Sequence, residues 1–150
     1  CNGPFSGTAR RGMKMNFKVL VADDEYYARK ALVMMLEKSE LPISVKGDFE
    51  DGEEVIEYLQ ENEADIIITD IRMPNIDGLE LAKYVQEHIP KCSVVIETGY
   101  EDFQYARKAL RYHVKEYLTK PINESELIKS INDILVEKTK SDNLENMNRL

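Results

Sequence analysis

Ile66-Ile67-Ile68-Thr69-Asp70-Ile71-Arg72-Met73-Pro74-Asn75-Ile76-Asp77-Gly78 holds an apolar run of β-formers that stops on a carboxylate and enters a loop marked by Pro and Gly. Such a run reads as a strand buried on both faces, the kind found in parallel sheets covered by helices on either side. In open α/β sheets the chemistry gathers beyond the carboxyl ends of the strands. A second run, Phe17-Lys18-Val19-Leu20-Val21-Ala22, closes on two more acids, Asp23 and Asp24. If the two strands are neighbours, three carboxylates crowd one pocket, an arrangement that is unfavourable without a cation.

Outward from these strands the apolar pattern alternates between short runs and helical spacing. Ala28, Ala31, Leu32, Met35 and Leu36 share one face of a first helix, which Leu41-Pro42 ends. Ile43 to Phe49 alternates weakly, as an edge strand does. Asp51 can cap a second helix whose inner face is Val55, Ile56 and Leu59. The third strand spans about Asp65 to Thr69, and a helix from about Leu79 to Ile89 follows it. Val94-Val95-Ile96 is the core of a fourth strand that ends near Thr98-Gly99. Glu101 to Tyr112 reads as a helix with Phe103, Ala106 and Leu110 inward, Val114 to Leu118 as a fifth strand, and Glu124 opens the last helix. Five β-α units with right-handed crossovers imply an α/β, doubly wound, five-stranded parallel sheet with five helices.

A chain of 150 residues is one ordinary domain. Residues 1–14 lack periodicity and are read as a tag remnant outside the fold, 15–138 as the domain, and 139–150 as a helix extension or the start of a linker. Arg10, Arg11 and Lys14 give the first 16 residues +3, so residues 17–150 carry −11 of the net −8. A domain this acidic is a poor binder of phosphate backbones, so no direct nucleic-acid binding is expected. No apolar stretch is long enough to span a bilayer and no secretory h-region opens the chain, which points to the cytoplasm. Cys1 and Cys92 have no metal-ligand spacing. Gly-x-Gly-x-x-Gly and Walker-type motifs are missing, and His88 and His113 have no nucleophile beside them.

The ends of strands 1, 3, 4 and 5 carry Asp23 and Asp24, Asp70, Thr98 and Lys120. Three acids, a hydroxyl and a lysine suit a hard divalent cation and a phosphoryl group, with Asp70 as carboxylate nucleophile. Plainer readings exist for each residue. Asp23 or Asp24 can cap the first helix, Thr is common at strand ends, a lone Lys is usually solvated, and an aromatic such as Tyr117 within a strand is usually half-buried core.

Val-Ala-Asp-Asp-Glu (21–25), Thr-Asp-Ile-Arg-Met-Pro-Asn-Ile-Asp-Gly (69–78), Glu-Thr-Gly-Tyr (97–100) and Tyr-Leu-Thr-Lys-Pro (117–121) together resemble the receiver domain of two-component response regulators. The likeness covers about Phe17 to Val136. It implies a flavodoxin-like sheet of order 2-1-3-4-5 and phosphorylation of Asp70 by a sensor histidine kinase. Mg²⁺ would be held by Asp23, Asp24, Asp70 and the main-chain carbonyl of Arg72. Thr98 and Lys120 would bind phosphoryl oxygens, Gly99 would leave room for them, Tyr117 would be the aromatic that swings inward, and Lys120-Pro121 would be cis. The resemblance also implies a phosphoacceptor that assists its own phosphorylation and dephosphorylation rather than an enzyme acting on outside substrates. Arg72 and Tyr100, both bulky, would make loss of the phosphate slow.

Gly99 to Ala106, with Tyr117 to Pro121, is similar to receivers of AraC-type helix-turn-helix regulators, so control of transcription through a further DNA-binding domain is expected. Tyr100, Tyr105, Lys108, Tyr112 and Tyr117 can form an exposed mixed patch around the fourth helix and fifth strand, read either as a partner or dimer face or as ordinary surface decoration. A homodimer through the fourth helix, fifth strand and fifth helix is expected as well. Glu97 departs from the family pattern, in which an apolar residue precedes the Thr; it either acidifies the site or turns outward. The competing reading is an interaction module on the same fold that works without phosphorylation. Two charge-assisted hydrogen bonds, from Thr98 and Lys120, would contribute roughly 3–6 kcal/mol, against the ~5.5 kcal/mol that carries a population from 1:99 to 99:1.

Overall fold

The computed structural model describes residues 16–99, 102–107, 112 and 114–149, with backbone alone at 103 and 144–149. Its strands are β1 (Phe17–Ala22), β2 (Ile43–Phe49), β3 (Ile66–Asp70), β4 (Ser93–Thr98) and β5 (Glu116–Thr119). The helices are α1 (Tyr26–Glu37), α2 (Gly52–Leu59), α3 (Gly78–His88), α4 (Phe103–Ala106) and α5 (Glu124–Arg149). All neighbouring strands run parallel in the order β2-β1-β3-β4-β5. That is the expected 2-1-3-4-5 order, with β2 at one edge.

Successive side chains of a strand point to opposite faces, and this alternation divides the core in two. Leu20, Ala22, Ile67, Val94 and Ile96 pack under α2, α3 and α4 with Val55, Leu81, Ala82 and Val85. Val19, Val21, Ile66, Ile68, Val95 and Leu118 pack under α1 and α5 with Leu32, Leu36, Leu127 and Ile131. Continued past the strand ends, the second series leads to Asp23, Asp70, Glu97 and Lys120. Periodicity alone therefore brings three acids and an ammonium to one face at one edge.

The helix boundaries have local causes. Asp51 accepts from the Glu54 N–H, and Asp77 and Glu80 form a reciprocal capping box at the start of α3. Some boundaries shift: β3 runs one residue later than expected, and β5 begins at Glu116, with the Lys115 N–H donating to the Val94 carbonyl at 2.8 Å just ahead of it. In α1, Ala31 faces solvent and Arg29 is buried instead. Of the expected fourth helix, Phe103 to Ala106 is helical, while Glu101 and residues 108–111 lie outside the described residues. Tyr105, Tyr112 and Tyr117 are half-buried against the α2/α3/α4 core rather than forming an exposed patch, and Tyr100 and Lys108 lie outside the described residues. No helix among the described residues is long and apolar enough to cross a membrane.

Candidate functional site

Asp23, Asp24 and Asp70 meet where the chain reverses direction across the sheet, between β1 and β3, with one carboxylate oxygen from each within 4.8 Å of the others. This switch point is where open sheets leave a crevice. Asp23 is fully buried, Asp70 is 6% exposed and Asp24 faces solvent. Lys120 reaches in from the end of β5 and its Nζ lies 3.0 Å from Asp70 Oδ2. Thr98 is buried at the end of β4, where its carbonyl accepts from the Lys120 N–H at 2.8 Å. Gly99 is half-buried next to it, and Lys120-Pro121 is cis.

The loop after Asp70 is held from both sides. A β-carbon at Gly78 would stand 2.3 Å from the Asp70 carbonyl oxygen, so only glycine lets α3 start this close to the strand end. Asn75 takes a positive φ of 65°, and its Nδ2 donates to Asp51 Oδ2 at 2.6 Å. The Gly52 N–H donates to the Ile76 carbonyl at 2.9 Å. On the other side, Arg72 Nε donates to Asp102 Oδ1 at 2.6 Å and its guanidinium covers the Tyr105 ring at 4.5 Å. The Tyr105 hydroxyl donates to Asp77. These ties fix the main chain at Arg72 while its side chain turns toward α4.

Charge in the pocket is under tension. Burial pushes Asp23 up to about 6, only partly offset by the Glu25 N–H that it accepts, and the neighbouring Asp70 raises it further. Burial also holds Asp70 above the ordinary carboxylate range, against the lowering effect of Lys120. Burial works against the Lys120 ammonium too, but the hydrogen bond to Asp70 and the charges of Asp70, Asp23 and Glu97 together outweigh it and leave the ammonium raised. Glu97, 2% exposed and paired in register with Asp70, is pushed up to about 8 by burial and then by the charges of Asp23 and Asp70. It turns inward, which sets aside the outward alternative left open by the sequence.

Two buried carboxyl oxygens at this edge, Asp23 Oδ2 and Glu97 Oε2, have no hydrogen-bond partner among the described residues. Asp23 Oδ1 is already engaged by the Glu25 N–H at 2.9 Å. An open carboxylate oxygen, two further acids within reach and a fixed loop main chain fit a hard divalent cation with oxygen ligands. The Tyr117 hydroxyl is likewise shielded without a partner, with its ring half-buried.

A family model described as the response regulator receiver domain matches residues 19–132. The chain belongs to this family. It is similar to the transcriptional regulatory protein YesN of Bacillus subtilis, at 36% identity over 84% of the chain and 34% of that protein. It is also similar to the transcriptional regulatory protein HptR of Staphylococcus aureus, at 32% over 74% of the chain and 43% of that protein. The receiver domain thus spans about a third to a half of the length of these relatives. Among solved structures, the receiver domain of AraT from Geobacillus stearothermophilus superposes with a TM-score of 0.77 at 35% identity, covering 87% of this chain and 99% of that one. A receiver domain protein from Clostridium thermocellum gives 0.74 at 29% identity, covering 82% and 97%.

Four residues important to the site's shape escaped the sequence reading. Gly78 and Asn75 sat within a quoted motif but carried no assigned role, although the Asn-x-Asp-Gly pattern marks a turn. Asp102 and Arg29 act through partners 30 and 19 residues distant, and no local pattern reveals them.

Proposed function

We propose that this receiver accepts a phosphoryl group on Asp70 from a sensor histidine kinase and passes the change to an output that controls transcription. The observation that carries the reading is Asp70 itself: a buried carboxylate facing Asp23 and Asp24 on one side and the Lys120 ammonium on the other. An Asp70 oxygen attacks phosphorus, a P–O bond forms, and the P–N bond of a phosphohistidine breaks with its electron pair retained by the imidazole, which takes up a proton. Mg²⁺, held by Asp23, Asp24, Asp70 and the Arg72 carbonyl, would supply the positive charge that lets a carboxylate approach a phosphoryl group. Lys120 holds Asp70 oriented and pairs with the new charge. Thr98, at the end of the adjacent strand, donates to a phosphoryl oxygen.

The Lys120 bond to Asp70 exists before phosphorylation. The new stabilisation therefore falls mainly to Thr98, about 1.5–3 kcal/mol for one charge-assisted hydrogen bond. That is below the ~5.5 kcal/mol of a full population switch, so self-association or an output domain has to supply the rest. A homodimer through α4, β5 and α5 would serve, and the cytoplasm is the setting such a kinase requires. The relatives named as transcriptional regulators support the output assigned here, and the AraC-type likeness points to its kind. Incubation with acetyl phosphate and Mg²⁺ should add one phosphoryl group per chain by intact mass. Asp70→Ala should add none, and a wild-type protein left unmodified would contradict the reading.

A further inference from the structure

Arg29 is 6% exposed, a rare burial for an arginine. Its Nη1 donates to the main-chain carbonyl of Asp23 at 2.9 Å, and its Nε donates to Asp48 Oδ1 at 2.9 Å. Asp48 lies on the edge strand β2, one residue before Phe49, whose carbonyl accepts the Asp23 N–H at 3.0 Å. Lys30 Nζ closes on both Asp48 oxygens at 3.2 and 3.3 Å. The Tyr26 ring lies 5.4 Å from the Arg29 guanidinium and 5.6 Å from Lys30 Nζ. Burial alone would raise the Asp48 carboxyl, but the hydrogen bonds and charges of Arg29 and Lys30 together outweigh this and hold it below the usual range.

The Asp23 residue is therefore gripped at its N–H, its C=O and one carboxylate oxygen, which leaves Oδ2 as the open acceptor. We propose that Arg29, braced by Asp48, is a positioning residue that sets the Asp23-Asp24 turn for a divalent cation. The inference rests on the reading of the acidic pocket given above. It requires the planar fork of arginine, because two donors must span a carbonyl and a carboxylate at once; a lysine ammonium is a point charge that cannot. A role limited to offsetting the pocket's negative charge would be met equally well by lysine, and this separates the two roles.

Partners that orient metal ligands typically change metal affinity about 10–100-fold when removed. The test is titration with Mn²⁺ as the probe, followed by loss of the free-ion paramagnetic resonance signal, on the whole chain well below its melting temperature. Arg29→Lys should raise the Mn²⁺ Kd about 10-fold or more, and Asp48→Asn should raise it several-fold. Far-ultraviolet circular dichroism in chelator verifies that each variant is folded. Wild type that leaves Mn²⁺ free overturns the pocket reading and this proposal together. Wild type that binds, with Arg29→Lys and Asp48→Asn binding equally well, overturns the brace alone.

Discussion

The two edges of the one parallel sheet treat their acids in opposite ways. At the amino edge, Asp65 is bonded on three sides: its Oδ2 accepts from the Lys18 N–H at 2.8 Å, its N–H donates to the Lys18 carbonyl, and its carbonyl accepts from the Ser93 N–H. That residue knits β1, β3 and β4 together where they begin. At the carboxyl edge, Asp23 and Glu97 each keep a buried oxygen without a partner among the described residues, and Asp70 stays above its ordinary range despite a lysine at 3.0 Å. Burying such groups unpaired costs stability. One edge is built for cohesion, and the other stores unmet demand for positive charge and hydrogen-bond donors.

Exchanging the acids should separate the edges most sharply. Asp23→Asn should weaken Mg²⁺ binding by at least 10-fold in a calorimetric titration, because it removes a charged ligand. In chelator the same variant should be no less stable than wild type. Asp65→Asn should do the reverse, leaving Mg²⁺ affinity within about two-fold while lowering unfolding stability by about 1–2 kcal/mol in urea. Equal effects of the two variants on both readouts would dissolve the distinction.

Glu97 sharpens the comparison next. Its carboxyl is raised from 4.5 to about 8 in the folded protein, so the folded state binds the proton more tightly than the unfolded chain. Its contribution to stability is therefore present in full at low pH and declines from about pH 5 to about pH 8. Glu97→Gln should remove that part of the pH dependence. Glu97→Leu should stabilise the cation-free protein at pH 8 by about 1–3 kcal/mol, measured by urea unfolding. An unchanged pH profile in the glutamine variant would place the proton elsewhere.

The last test probes how firmly the amino edge stays closed. Cys92 is 6% exposed and burial pushes its thiol up to about 12. It borders a cleft of about 680 Å³ together with Asp65, Lys115 and Lys138, but the thiol itself stays shielded. Alkylation at Cys92, read by peptide mass, should be at least about 100-fold slower in the native protein than in urea, since the thiolate is the reactive form. Native labelling at the denatured rate would mean that this edge opens readily.

What the sequence made legible follows from which forces are local. Buried runs such as Ile66 to Ile68 and Val94 to Ile96 located the central strands, because a parallel sheet shields both of its faces. Motif order then placed Asp23, Asp24, Asp70 and Lys120 at one edge, and the structure brings their side chains together. The first helix was misread at Ala31, and Arg29 was passed over, because apolar spacing cannot anticipate an arginine drawn inward by Asp48 on another strand. Tyr105 was misread as patch surface for a related reason: it is occupied by Asp77 from the loop before α3, a pairing invisible along the chain. Glu97 could be flagged but not oriented, since its direction depends on the register that pairs it with Asp70.

The central claim is that Asp70 becomes an acyl phosphate, and trapping that bond tests it most directly. The protein is treated with acetyl phosphate and Mg²⁺, reduced with borohydride and digested, and the peptide carrying position 70 is sequenced by mass spectrometry. Reduction of an aspartyl phosphate leaves homoserine, so the account predicts homoserine at position 70, dependent on Mg²⁺ and absent from Asp70→Asn. Homoserine at another aspartate, or none in the wild-type protein, would contradict it.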